Sequence, residues 1–328
     1  MPTASAAATT TAASTPDFTE LVRKLTSLDS TTRGKAAEEL SDLACIPENQ
    51  AKIGKTKGAI LTLVLILRNT TQNYKLLHQT AASILVNLTR ISTNQSPLIE
   101  TPDALRILVS LLEPTVDPPL QAAAASILAN LAAFDANQAN RAKIGQKTTA
   151  ITDLVMLVRP GVETQVQAAA ANALGNLAVK NTYNQDDIRG KAPDVLTNLV
   201  ALLRKPDPYL QQRAAAALAH LAGDNEAGQI DIGNTLGAIP LLVLLLQPGV
   251  DPLVQAAAAV ALGNLAQHPI NRDKIGQKTD AIDKLFLLRK SSPDEKVKLA
   301  AHAALDNLYC LLSNQTKIDH LIKTQWYK

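Results

Sequence analysis

Asparagine returns along this chain at one phase of a long period: Asn87, Asn130, Asn176, Asn264 and Asn307 each precede Leu and each sit in an Ala-rich apolar stretch. The same frame puts Asp42 and His220 in two further slots, so the seven positions are spaced by 45, 43, 46, 44, 44 and 43 residues. Self-similarity at a period in the forties is the signature of a helical solenoid, in which each unit buries its apolar face only against its neighbours. A length of 328 residues suits two ordinary domains or one such array, and the periodicity chooses the array. Asn is a mediocre helix former because its short amide competes for backbone groups. Its return at one phase of otherwise good helices therefore needs a reason that propensity does not supply.

Hydrophobic residues make up 46% of the chain but aromatics only 3%, so Leu, Ile, Val and above all Ala must build the core. Thirty-two Lys and Arg against twenty-nine Asp and Glu leave no polyanion-attracting field. No basic cluster exceeds a pair such as Arg289-Lys290, and nucleic acid is not an expected partner. Cys45 and Cys310 fall in the first and last repeats, where a mutual disulfide would have to span the array; a reducing compartment fits, and both are expected as buried small residues. Residues 1–16, rich in Ala, Thr and Ser, carry neither a cationic start nor a continuous apolar run and read as a disordered tail, leaving 17–328 as a single repeat domain with terminal caps. Apolar runs such as Leu241 to Leu246 fall far short of the about 20 residues that cross a bilayer, so direct membrane insertion is not expected. The expected location is the cytoplasm, with the nucleus as a second compartment.

The best copy of the unit runs from Gly237 to Ala266, GAIPLLVLLLQPGVDPLVQAAAAVALGNLA. A first helix, from Ile239 to about Gln247, is apolar nearly all round, as for a helix sandwiched between neighbours. Pro248 and Gly249 end it, Asp251 is placed to cap a second helix, and Pro252 suits its first turn, where a missing amide hydrogen costs nothing. That second helix continues to about Gln267. The following NRDKIGQKT, Asn271 to Thr279, reads as a short helix closed by Gly276 as a turn residue. Similar segments occur at Asn49 to Thr56 and Asn140 to Thr148, and more loosely around Gly190, Gly233 and Ile318. No alternating apolar pattern competes for strand.

A short, a medium and a long helix in this order, with NRxKIG before the GAIPLLVLLL…VQAAAAVALGNLA pair, resembles the armadillo repeat family from roughly residue 18 to 325. HEAT repeats, the nearest competitor, are two-helix units and lack the NRxKIG segment. The resemblance implies an all-α, right-handed superhelical solenoid of about seven three-helix repeats, with the long helices lining a concave groove. It further implies that the Asn of the ALxNLA-type motif, here Asn87, Asn130, Asn176, Asn264 and Asn307, points into that groove. Chemistry agrees: a carboxamide offers an acceptor and two donors and can pair with the C=O and N–H of one peptide unit in an extended ligand. A second role is open, because Asn near a helix C-terminus can instead satisfy backbone groups of its own or the adjacent repeat. Asp42 and His220 keep a polar group in the slot, which favours ligand contact.

Four residues before each slot, on the same face one turn back, stand Glu38, Ser83, Ser126, Asn172, Ala216, Val260 and Ala303. Nuclear import adaptors of the family carry Trp there, whereas this chain's single Trp is Trp326. Four residues after the slots stand Ile46, Ile91, Phe134, Lys180, Asp224, His268 and Leu311, of which only Asp224 is acidic. A groove reading Lys/Arg-rich signals needs several carboxylates, since exposed pairs each contribute below about 1 kcal/mol. Lys35, Arg90, Lys180 and Arg213 are too scattered to form basic rows of the catenin kind. The candidate peptide-binding set is thus Asn87, Asn130, Asn176, His220, Asn264 and Asn307, with Ser83, Ser126, Asn172, Lys180 and Asp224 beside them.

Catalytic motifs are not completed. GKT at Gly54 to Thr56 has Asn49 where a phosphate-binding loop needs Gly, and no HExxH, zinc-spaced Cys/His or GxSxG pattern occurs. The expectation is a non-enzymatic scaffold without cofactor, metal or small-molecule substrate, binding a protein or an extended peptide segment. The alternatives are a nuclear transport adaptor with degenerate sites and a substrate-recruiting subunit of a ubiquitin ligase.

Overall fold

A computed structural model describes residues 16–68 and 75–325. The expected tail lies outside the described residues except for Pro16, and Trp326 lies outside them too. The described chain is helical with no strand: a pair, Phe18–Lys24 and Ser30–Ala44, precedes six triplets, each of two shorter helices, called short and medium in chain order after the repeat unit, and a long one. These are Pro47–Lys55, Ala59–Arg68 and Lys75–Leu88; Gln95–Glu100, Ala104–Ser110 and Pro118–Ala132; Gln138–Lys147, Ala150–Leu157 and Thr164–Ala178; Thr182–Lys191, Val195–Leu202 and Pro208–Ala222; Glu226–Asn234, Ala238–Leu244 and Pro252–Leu265; and Pro269–Lys278, Ala281–Ser291 and Glu295–Tyr309. Leu312–Gln325 closes the array.

Local chemistry sets the boundaries. Asp251 caps its long helix by accepting from the backbone N of Leu253 at 2.8 Å and of Val254 at 3.4 Å, with Pro252 in the first turn, as the sequence predicts. Gly249 adopts φ +86°, the left-handed conformation its turn requires. The long helices stack side by side through their Ala-rich flanks. At Gly175 and Gly263 a Cβ would stand 3.0 Å from Ala217 Cα and 3.2 Å from Ala304 Cα, so the tightest crossings admit only the smallest residue.

Four glycines of the short helices differ from the sequence expectation. Gly276 does not close its helix; it lies inside Pro269–Lys278, and a Cβ there would sit 2.0 Å from Asn314 Oδ1. Gly54, Gly145 and Gly233 stand in the same relation to Asn94, just before the next short helix, and to Asn184 and Asn271 within theirs, at 1.9 to 2.1 Å. Each of these Asn is at most 1% exposed. Each donates from Nδ2 to the carbonyl one turn before the facing Gly: Asn94 to Gln50 O, Asn184 to Arg141 O, Asn271 to Gln229 O and Asn314 to Arg272 O, at 2.8 to 3.2 Å. Gly is there because a neighbouring carboxamide occupies the space of a side chain, not because the backbone turns.

The interlock changes where its partner changes. Arg189 holds the Gly position in one short helix, and the next carries Gly228 in place of Asn; Arg189 Nη1 then donates to Asn225 Oδ1 at 3.3 Å. At the next position in the short segments, Gln50 donates to Ala44 O, Gln95 to Thr89 O, Gln229 to Ala222 O and Arg272 to Ala266 O, satisfying carbonyls at the end of the preceding long helix, whereas Gln185 reaches forward to His220 O and Gly223 O.

Two further expectations are corrected. The medium helices are not enclosed all round: Leu65, Met156, Leu244 and Leu287 are exposed on one face, because these helices form an outer layer. Cys45 and Cys310 are free and exposed, because each stands at the C-cap just past its long helix, outside the packed core.

Candidate functional site

The stacked long helices place the Asn slots in one row, on adjacent helices, near their C-terminal ends. The ladder side chains are half-buried, and each reaches back to the preceding long helix. Asn176 Nδ2 donates to Ala129 O at 3.0 Å, Asn264 to Ala219 O at 2.9 Å and Asn307 to Gly263 O at 2.9 Å. The acceptor is in every case the residue just before the preceding slot. Asn130 follows the same rule with Val86 O at 3.1 Å and adds Thr89 Oγ1 at 3.0 Å, while Asn87 meets Cys45 Sγ at 3.7 Å.

The ladder therefore has a built-in structural task, and a carboxamide's valence leaves room for another. One N–H of Asn176, Asn264 and Asn307 holds the neighbouring helix, which leaves each a second N–H and Oδ1. Asn130 has both N–H groups engaged and keeps Oδ1. No described residue donates to these Oδ1 atoms. His220 makes no side-chain hydrogen bond in its slot, and burial together with the Arg141 charge holds its imidazole below the usual histidine range.

The flanking residues divide. Ser83 is exposed and Ser126 and Asn172 are half-buried on the same face one turn before the row, beside the exposed Val260 and Ala303. Lys180 and Asp224 stand apart from them: both lie just past a long helix, exposed, at φ +49° and +51°. The left-handed backbone there ends a helix, a position where Gly is usual. The sequence does not reveal the pair next to Asn172. Arg213, from the following long helix, donates from Nη1 to Asn172 Oδ1 at 3.1 Å, and its guanidinium lies 4.8 Å from the centre of the Tyr209 ring. Tyr209 and Arg213 are four residues apart on one helix face, the spacing that would have flagged them.

Comparison with known proteins gives the same architecture. Residues 100–202 match the family model described as armadillo-like, and residues 227–267 match the Armadillo/beta-catenin-like repeat. The chain has the armadillo repeat fold. An engineered protein of known crystal structure is 29% identical, with a TM-score of 0.74, over 89% of this chain and 68% of its own. A designed armadillo repeat protein, solved in complex with the peptide (KR)4, is 25% identical with a TM-score of 0.64, over 76% of this chain and all of its own. A computationally designed armadillo repeat protein for modular peptide recognition is likewise 25% identical, with a TM-score of 0.64. A comparison with curated proteins found no match. Among the described residues, no single helix of this armadillo chain is long and apolar enough to cross a membrane.

Proposed function

We propose that this armadillo protein is a binding scaffold that holds an extended segment of a partner protein along the long-helix face, by hydrogen bonds between the Asn ladder and the partner's backbone. The observation that carries the reading is the repeated half-use of the ladder: Asn176, Asn264 and Asn307 are half-buried, each spends one N–H on the preceding helix, and none of the described residues takes up its Oδ1 or second N–H. An extended chain rises about 3.3 Å per residue, and packed helices lie about 8–10 Å apart, so each Asn meets every second or third ligand residue. Each neutral bond contributes only about 1 kcal/mol net, and affinity accumulates along the row. Peptide binding by designed relatives of the same fold supports this reading.

The test is selection of binders from a phage-displayed library of random dodecapeptides, followed by affinity measurement on wild type and on the Asn130→Ala/Asn176→Ala/Asn264→Ala variant. The proposal expects binding to fall at least tenfold with helicity unchanged. Because those Asn also brace the helices, a second variant, Ser83→Glu/Val260→Glu, alters only exposed positions on the face and is expected to weaken binding as well. Selected peptides indifferent to both variants would overturn the reading.

A further inference from the structure

Across the ladder row and the positions four, seven, eight and eleven residues before it, the five long helices from Lys75 to Leu265 carry one formal charge, that of Arg213. The rest of this surface is Ser, Thr, Gln, Asn, Pro, Ala and a few apolar side chains, with His220 held toward its neutral form. Arg213 sits on the fourth of these helices, seven residues before the slot of His220. Its orientation is fixed from two sides, by the Tyr209 ring beneath the guanidinium and by Asn172 Oδ1 at one Nη1 hydrogen. Among the described residues, none accepts from Nη2 and no carboxylate pairs with the group. Toward the C-terminal end the same face exposes Leu253, Val260 and Leu299, with Lys296 at its edge eleven residues before Asn307.

We propose, resting on the groove reading above, that the partner segment is an extended peptide bearing an acidic side chain opposite Arg213 and aliphatic side chains over Leu253, Val260 and Leu299. A guanidinium is planar and presents parallel N–H groups that match a carboxylate. Holding it in advance by stacking and by one hydrogen bond reduces the side-chain freedom lost on binding. A basic side chain at the same place would meet a like charge with no carboxylate among the surrounding face positions to offset it. The charge thus selects between two classes of ligand that the neutral Asn ladder by itself would accept equally. The (KR)4 peptide held by a designed relative belongs to the class this face disfavours.

The experiment uses the same phage-displayed dodecapeptide library on the full chain, with wild type, Arg213→Gln, Arg213→Lys and Arg213→Glu selected in parallel. The wild type is expected to enrich Asp or Glu at one position of the aligned binders. For a selected peptide, Glu→Gln at that position is expected to weaken binding about three- to tenfold on wild type and to have no effect on Arg213→Gln. Arg213→Lys should retain the acidic preference, and Arg213→Glu should exchange it for Lys or Arg. A brace between helices without contact to ligand would change the melting temperature but leave the enriched residue the same in all four selections. Acidic enrichment absent in wild type, or unchanged in Arg213→Gln and Arg213→Glu, overturns the proposal. Binders that still need the ladder Asn would in that case leave the groove reading standing, whereas binders indifferent to the Asn would remove both.

Discussion

Replacing Gly145 by Ala puts two physical effects in opposition within one methyl group. Gly145 is inside the helix Gln138–Lys147, and helix propensity alone favours Ala there by about 1 kcal/mol. The added Cβ, however, would stand 2.1 Å from Asn184 Oδ1 and 2.6 Å from Asn184 Cγ, well inside any contact distance. Asn184 is fully buried and anchored by Arg141 O at 3.0 Å and Leu177 O at 2.9 Å, so it cannot swing aside without breaking both bonds. Overpacking costs about 1–3 kcal/mol and the two lost hydrogen bonds about 1 kcal/mol each; after the propensity gain the net loss is about 2–4 kcal/mol. Urea denaturation followed by circular dichroism reads this, with hydrogen exchange over 177–189 to localise it, since a solenoid can open locally. The control is Gly34→Ala in Ser30–Ala44, where a Cβ would meet nothing within 4 Å and stability should rise by about 0.5–1 kcal/mol. The double variant Gly145→Ala/Asn184→Ala should be less destabilised than the sum of its parts. A Gly145→Ala protein as stable as wild type, or a strictly additive double variant, would refute the interlock.

Restoring the ladder with His220→Asn should let the new amide donate to Gly175 O by the rule its neighbours follow, raising stability by about 0.5–1.5 kcal/mol in a thermal melt. The same variant should alter the acid response. The folded imidazole resists protonation, so as pH falls below the unfolded value of about 6.5 the unfolded chain binds the proton first, and stability declines until the folded group also titrates. His220→Asn should flatten that decline relative to wild type, and an unchanged pH profile would count against the buried-histidine explanation. Asn264→Asp should be more destabilising at neutral pH than Asn264→Ala, because a carboxylate presents only acceptors to the Ala219 carbonyl, and denaturation midpoints of the two variants compare them directly.

Periodicity reports which surfaces must repeat but not which of them is inside. The Asn slots could be read from the chain because they recur with Leu in Ala-rich helices, and the helix break at Pro248, Gly249, Asp251 and Pro252 could be read because each residue has a local reason to be there. The buried Asn of the short helices were missed because a glycine near a helix end suggests a turn. Only the neighbouring unit shows that Gly54 and Asn94, or Gly276 and Asn314, are two halves of one contact. A paired signal was present, Gly in one unit with Asn 38 to 40 residues later, but it spans the repeat boundary and carries no local pattern. Arg213 escaped for a related reason: among scattered basic residues, its isolation on an otherwise uncharged face becomes visible only when five helices are laid side by side. The dual use of the ladder amides was likewise beyond reach, since spacing places an Asn without saying how many of its hydrogen-bonding groups the neighbouring helix consumes.

The central claim is that the ladder grips a backbone, and an N-methyl scan of a selected dodecapeptide tests it directly. Methylating one ligand amide at a time removes single N–H donors while keeping every side chain. If Oδ1 of Asn176, Asn264 and Asn307 accepts from the ligand, affinity should drop about three- to tenfold at amides recurring every second or third residue and change little between them. The same scan on the Asn176→Ala/Asn264→Ala variant should lose that pattern at the matching positions. Uniform tolerance of N-methylation along the peptide, with side-chain replacements alone abolishing binding, would contradict the account.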